Sequence, residues 1–233
     1  MKKLVAWAIV LTIVCFTMCG CGSKKEEKAV LQGDFIIHSG VKFGDTIEEV
    51  KEKETLELVF EDLREEYSEM EMVKSLEYKG ELVGYPNSAL YYYYGDYYYG
   101  DEGKIFRAFY WLFDDKEVMK KTKGKGIYEN VCKMLKEKYG NNINEDEYKY
   151  LTISERKKAL ESRLESSEGV RYEFNGWLLE YNTYYIEIIL YKQVLEEDTY
   201  ETCAIEYLYH TKEEIQSKKE EIQNSDNKAI EDL

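Results

Sequence analysis

Cys21 is the residue of this chain with the most definite chemistry. It follows Gly20 and precedes Gly22 and Ser23. Residues 4–18 before it are apolar except for Thr12 and Thr17, and Lys2 and Lys3 precede that run. A basic head, a short apolar stretch and a small residue before the break form a secretory signal. The stretch is shorter than the ~20 residues a spanning helix needs. A cysteine placed just after such a break suits thioether transfer of a diacylglyceryl group, and lipidation at Cys21 is the expectation. Met18 and Cys19 depart from the small and aliphatic residues usual at the preceding positions. A cut without lipidation and an uncleaved anchor are the alternatives. Two acyl chains on one cysteine would hold the protein stably, whereas a single chain binds only marginally.

The other residues able to do chemistry are scattered. His38 and His210 stand far apart without ligand spacing, so two edge residues are expected rather than a metal pair. No Gly-x-Ser-x-Gly elbow, phosphate loop or zincin motif occurs. Asp96, Asp101 and Glu102 lie among Gly95, Gly100 and Gly103, but their spacing fails the alternating-oxygen template of a calcium loop. Asn144, Glu145, Asp146 and Glu147 read as another solvated turn. No enzyme, catalytic residue, metal or cofactor is expected. Cys132 and Cys203 are the cysteines outside the signal. An exported pair invites a disulfide. A chain of this length needs no staple, however, and the reading favours two buried free thiols.

Tyrosine is the compositional outlier, 23 of 233 residues, with runs at 91–94 and 97–99. Strand alternation puts Tyr91 and Tyr93 on one face and Tyr92 and Tyr94 on the other. Some of these rings, joined by Trp111, Tyr185 and Tyr191, should therefore lie on an open sheet face. Tyr91, Tyr93, Trp111, Tyr185 and Tyr191 form the candidate binding face. One reading is a platform for protein or glycan, because Tyr and Trp give large contact area at low entropy cost. The other is that tyrosine simply favours half-exposed strands.

Charge narrows the partners. The whole chain carries −15. Removing the first 20 residues takes two lysines and leaves 30 Lys and Arg against 47 Asp and Glu, or −17 over 213 residues. Nucleic acid, which needs a basic footprint, is not an expected partner. Anionic headgroups would repel the domain. The expected attachments are the membrane, through the diacylglyceryl anchor on the extracytoplasmic side, and another envelope protein.

The elements that would position these residues divide into two units. The expected organisation is a signal peptide over 1–20, an anchor and flexible tether over 21–34, a first α+β repeat over 35–122 and a second over 123–212. A charged C-terminal helix and frayed tail follow over 213–233. Thr46 and Glu49 form a capping box that starts a helix with Ile47 and Val50 on its buried side. Leu56, Val59, Phe60, Leu63 and Tyr67 carry helical spacing and predict more helix over 56–70. Strands are predicted at 73–78, 88–94 and 104–113, with the lone proline, Pro86, in a turn. Ile127, Val131, Met134, Leu135 and Tyr139 mark a helix closed by Gly140, and a short helix is expected around 154–164. Strands at 170–174, 177–181, 184–192 and 200–210 follow, broken at Asn175-Gly176 and Asn182-Thr183. Thr211 and Glu214 cap the final helix, which frays from Ser225. The fold class is α+β, a tandem helix-plus-antiparallel-sheet repeat with helices on one face of the sheet.

Gly40-Val41-Lys42-Phe43-Gly44-Asp45-Thr46-Ile47-Glu48-Glu49-Val50 resembles the glycine-then-capped-helix signature at the head of small bacterial extracytoplasmic lipoproteins. These have the fold shared by β-lactamase inhibitor proteins and a small lipoprotein of the outer-membrane barrel-assembly machine. Gly84 to Tyr94, then Gly103-Lys104-Ile105-Phe106-Arg107-Ala108-Phe109-Tyr110, resembles the paired strands of that family. Leu135-Lys136-Glu137-Lys138-Tyr139-Gly140, then Trp177 and residues 183–190, look like its second repeat. The resemblance spans residues 35–212 and implies binding on a concave sheet, with no fixed partner and no catalytic residues to carry over. It also implies a second possibility, inhibition of a secreted or cell-wall hydrolase. Binding of cell-wall glycan is a third.

Overall fold

The computed structural model describes residues 30–62, 74–95, 103–143, 149–164, 170–195 and 200–231. The expected signal peptide with Cys21, the 63–70 part of the expected second helix, the 97–99 tyrosines and the acidic run at 145–147 lie outside them.

Thr46 opens α1 (Ile47–Lys53) through the predicted capping box. The Glu49 amide donates to Thr46 Oγ1 (3.3 Å) and the Thr46 amide donates to Glu49 Oε2 (2.8 Å), so two orphan donors are satisfied reciprocally. A small hairpin of β1 (Ile36–His38) and β2 (Val41–Lys42) precedes it. Strands β3 (Glu57–Asp62), β4 (Lys74–Leu82), β5 (Tyr85–Tyr94) and β6 (Ile105–Leu112) follow, then helices α2 (Lys116–Thr122), α3 (Ile127–Tyr139) and α4 (Thr152–Leu164). The chain ends with β7 (Val170–Glu180), β8 (Tyr184–Leu195), β9 (Tyr200–Thr211) and α5 (Lys212–Glu231). The seven longer strands form one antiparallel sheet in the order β3-β4-β5-β6-β9-β8-β7. Two meanders therefore meet through their last strands, β6 and β9.

The predicted α+β class is the observed one. Alternation along the strands separates two faces with different cover. On the first, Leu76, Tyr92, Tyr110, Ile205, Ile188 and Trp177 pack with Val50 of α1 and with Ile127, Val131 and Leu135 of α3. On the second, Ile189 and Leu208 pack with Ile143, Ile153 of α4 and Ile215 of α5. Helices thus lie on both faces, a correction to the expected single helical layer. The physical cause is that β8 and β9 place apolar side chains on both sides, so each side needs cover. Two glycines permit close approach. A Cβ on Gly176 would sit 3.0 Å from Ile153 Cδ1, and one on Gly124, where φ is +81°, would sit 2.1 Å from the Glu201 carbonyl oxygen.

Four local expectations differ from the structure. Residues 57–62 are strand rather than helix. Leu58, Val59 and Phe60 suit a pleated surface, and pairing of Leu58 with Tyr78 and Phe60 with Glu77, around a bulge, satisfies the backbone. Pro86 lies within β5, where the register with β4 shifts, and the turn is made by Val83 and Gly84, both with positive φ. That is the primed pattern of two-residue hairpins. Asn175-Gly176 does not break the sheet, since β7 pairs with β8 through both residues. The last helix continues past Ser225 to Glu231.

Candidate functional site

Strand parity brings the sequence-predicted tyrosines and tryptophan together. Tyr91 and Tyr93 of β5, Trp111 of β6, and Tyr185 and Tyr191 of β8 all project from the second face, the one that carries α4 and α5. Each is half-buried rather than fully exposed. Tyr93, Tyr91, Phe109, Trp111, Tyr191, Phe174 and Tyr172 form a continuous belt over the face. Ring centroids lie 6.4 Å apart for Tyr91–Tyr93, 6.2 Å for Tyr91–Phe109 and 5.6 Å for Phe109–Trp111. The belt continues at 6.1 Å for Phe109–Tyr191, 5.8 Å for Tyr191–Phe174 and 6.2 Å for Phe174–Tyr172. It passes over β9 at Ala204, a small residue opposite both Trp111 and Tyr191. From β5 to β7 it crosses five strands, roughly 19 Å at normal strand spacing.

Tyr185 shares the face but not the belt. It sits at the far end of β8 opposite His210, with Lys212 Nζ 5.4 Å from its ring centroid. Phe109, Phe174 and Tyr172 belong to the belt and were absent from the candidate face. Their signal was the same alternation, Arg107-Phe109-Trp111 and Tyr172-Phe174, in strands that the tyrosine runs overshadowed.

Ionic groups border the belt. The Arg107 guanidinium lies 4.7 Å from the Tyr93 ring centroid and 5.8 Å from that of Phe109, within cation–π range. Arg107 also pairs with Glu206 Oε1, to which Arg156 Nη2 of α4 donates at 2.7 Å. Glu206 is fully buried, and its Oε2 has no hydrogen-bond partner among the described residues. Burial, then the neighbouring Glu77 carboxylate, pushes the Tyr91 phenol up to about 12. Tyr91 and Tyr191 both keep their protons at neutral pH, the latter raised by burial and then by Glu206.

The histidines occupy two separate places. His210 is buried, and its Nε2 lies 2.8 Å from Glu187 Oε2. The Glu187 carboxylate also accepts from the amides of Thr152 (3.0 Å) and Ile153 (2.7 Å), so a strand residue caps α4. His38 Nδ1 lies 2.9 Å from Glu54 Oε1 and 2.9 Å from Ser39 Oγ. Acid and hydroxyl meet the same ring nitrogen, which is not the arrangement of a nucleophile relay, where they take opposite nitrogens. Cys132 and Cys203 are buried and free. Among the described residues no group of three or more His, Cys, Asp or Glu could hold a metal ion, and no helix is long and apolar enough to cross a membrane.

No family model, no curated protein and no solved structure matches the chain.

Proposed function

We propose that this chain is a lipid-anchored extracytoplasmic binding module that presents its aromatic belt to a protein partner at the cell envelope. The observation that carries this reading is the belt itself. Seven rings sit in mutual contact on a sheet face where α4 and α5 pack over Ile189 and Leu208 and leave Tyr91, Tyr93 and Trp111 half-open. Rings pre-ordered by their neighbours lose little entropy on binding, and aromatic and arginine side chains dominate interface cores. Arg107 beside the belt adds a donor that can orient a partner's carboxylate. The apolar run and Cys21 at its break support the membrane assignment, with the acyl group doing the holding that a net charge of −17 on the processed chain would oppose.

The test compares partners captured from detergent-solubilised membranes by the unaltered chain, by Tyr91→Ala with Trp111→Ala, and by Tyr185→Ala. Loss of a specific partner with the first variant and its retention with the second is the expected outcome. Identical profiles for the unaltered chain and the belt variant would sink the assignment. Sedimentation with purified peptidoglycan distinguishes a glycan platform, and hydrolase assays distinguish an inhibitor. The anchor has its own check: mass spectrometry of the amino-terminal peptide is expected to find Cys21 carrying a diacylglyceryl group, and an unmodified Cys21 rejects it.

A further inference from the structure

Sheet edges end in unpaired amides and carbonyls that folded proteins usually cover or blunt. The two edges of this sheet are treated differently. Along β7 the Leu31 amide donates to the Glu180 carbonyl (2.7 Å) and the Ile143 amide donates to the Gly176 carbonyl (2.9 Å). Along β3, pairing among the described residues comes from β4 alone. The surface there is also apolar. Leu58, Val59 and Phe60 are 40%, 41% and 54% exposed, and they are the only adjacent large hydrophobic residues exposed among the described residues. Glu57 and Glu61, both exposed, flank them, and Lys51 reaches Glu61 from α1.

We propose that the edge of β3 that no other described strand pairs docks an extended segment of a second protein, which joins the sheet as an eighth strand. The bulge puts Leu58 and Glu61 on one face of this edge and Glu57 and Phe60 on the other, so each face of that segment sets one apolar side chain against Leu58 or Phe60 and one basic side chain over Glu61 or Glu57. Main-chain hydrogen bonds would supply affinity and alternate side chains the choice of partner. β3 is six residues long, enough for a matching segment of roughly 20 Å. Charge separates this occupant from a second copy of the same chain. Two β3 edges paired antiparallel would set glutamate against glutamate, and like charges directly opposite destabilise a strand pair. The bulge between Leu58 and Phe60 further twists the edge away from flat self-pairing. A basic segment avoids the charge repulsion, and a short single segment follows the bulge more readily than a second copy of the whole domain. The inference is independent of the aromatic belt, which lies on a face and not at this edge.

The experiment uses the full chain in detergent and labelled peptides of roughly ten residues, long enough to cover the strand. One peptide carries the pattern Lys-Val-Val-Lys, matched to the bulged order of Glu57, Leu58, Phe60 and Glu61, and a second carries Glu-Val-Val-Glu. Fluorescence anisotropy reads affinity, and amide hydrogen exchange reads the location. The Val–Lys peptide is expected to bind at least about tenfold more tightly than the Val–Glu peptide and to slow exchange across residues 57–61. Val59→Lys, which sets a like charge in the docking segment, is expected to weaken Val–Lys binding about tenfold or more. Val59 is exposed, so circular dichroism of the free variant should match that of the unaltered chain. Binding without protection of 57–61, equal binding by Val59→Lys, or no binding at millimolar peptide overturns the proposal. So does self-association of the full chain that Val59→Lys abolishes, because the edge would then belong to a second copy.

Discussion

Glu54 shows how one carboxylate ties three parts of the molecule together. Its side chain is fully buried, and it accepts hydrogen bonds from Tyr92 Oη at 2.7 Å and from the amides of Thr55 (2.7 Å) and Leu56 (3.1 Å), with His38 Nδ1 at 2.9 Å. Burial alone would raise its pKa. The hydrogen bonds from His38, Tyr92 and the Leu56 amide outweigh burial and bring it down to about 2. A carboxyl held below its unfolded value contributes stability above that value and loses it as pH falls toward the folded one. For Glu54 the window runs from about 4.5 down to about 2. Glu54→Gln is expected to cost about 2 kcal/mol at neutral pH, since it weakens charge-assisted bonds to groups that stay buried. Urea midpoints measured across the acid range should also show a shallower loss between those pH values in the variant. A steep acid limb unchanged by the substitution would mean that other carboxylates govern it. None of this was legible in the sequence. Glu54 is one of 47 acidic residues, and only the fold sets it beside Tyr92, 38 positions away.

At the level of elements, α4 depends on a cap supplied from outside its own sequence. Thr211 and Glu214 cap α5 locally, the Thr211 amide donating to Glu214 Oε2 at 2.7 Å and the Glu214 amide to Thr211 Oγ1 at 3.1 Å. The amides of Thr152 and Ile153 instead donate to Glu187 of β8, 35 and 34 positions away. Glu187→Ala is expected to leave those amides and His210 without their partner and to destabilise the chain by about 2–3 kcal/mol. Amide exchange should locate the effect, rising over 152–159 and much less over α3. Equal acceleration in both helices would make Glu187 a general core residue and not the cap of α4. The same contrast explains what the sequence showed of the fold. Local devices were readable: the boxes at Thr46 and Thr211, the apolar stripe of α3 and the alternation that placed Tyr91, Tyr93, Trp111 and Tyr191 on one face. Long-range pairing was not. Leu58, Val59 and Phe60 fit a helix or a strand until β4 lies beside them, and a short apolar run does not distinguish the two. Asn175-Gly176 looked like a break because its partner strand, and the approach of Ile153 that requires a glycine, cannot be read from neighbours in sequence.

Across the whole molecule, the two meanders share more than the β6–β9 pairing. One apolar cluster takes Leu76, Tyr92 and Tyr110 from the first half, and Ile188, Ile205 and Trp177 from the second, with α3 packed against it. The rings of Tyr110 and Tyr207 meet across that junction at 5.1 Å, and Tyr110 Oη donates to the Ile37 carbonyl at 2.6 Å. The amino-terminal segment crosses over as well. The Leu31 amide bonds to the Glu180 carbonyl at 2.7 Å and the Phe35 amide to Tyr184 Oη at 3.0 Å, both in the second half. Neither half can open without exposing core of the other, so the described chain is expected to unfold in one transition although its sequence reads as two repeats. Two tryptophans provide a probe in each half: Trp111 lies in β6 of the first and Trp177 in β7 of the second. In Trp111→Phe the remaining fluorescence reports the second half, and in Trp177→Phe it reports the first. Trp7 is the one other tryptophan of the sequence, and the proposed cut before Cys21 would remove it. Trp177→Phe loses the bond from Nε1 to the Gly140 carbonyl, so the two variants will differ in stability. The comparison that matters is therefore within each one. Fluorescence and far-ultraviolet circular dichroism should give the same urea midpoint for a given variant. Midpoints that separate within a single variant would show that the repeats fold independently, and that the shared cluster does not bind them into one cooperative unit.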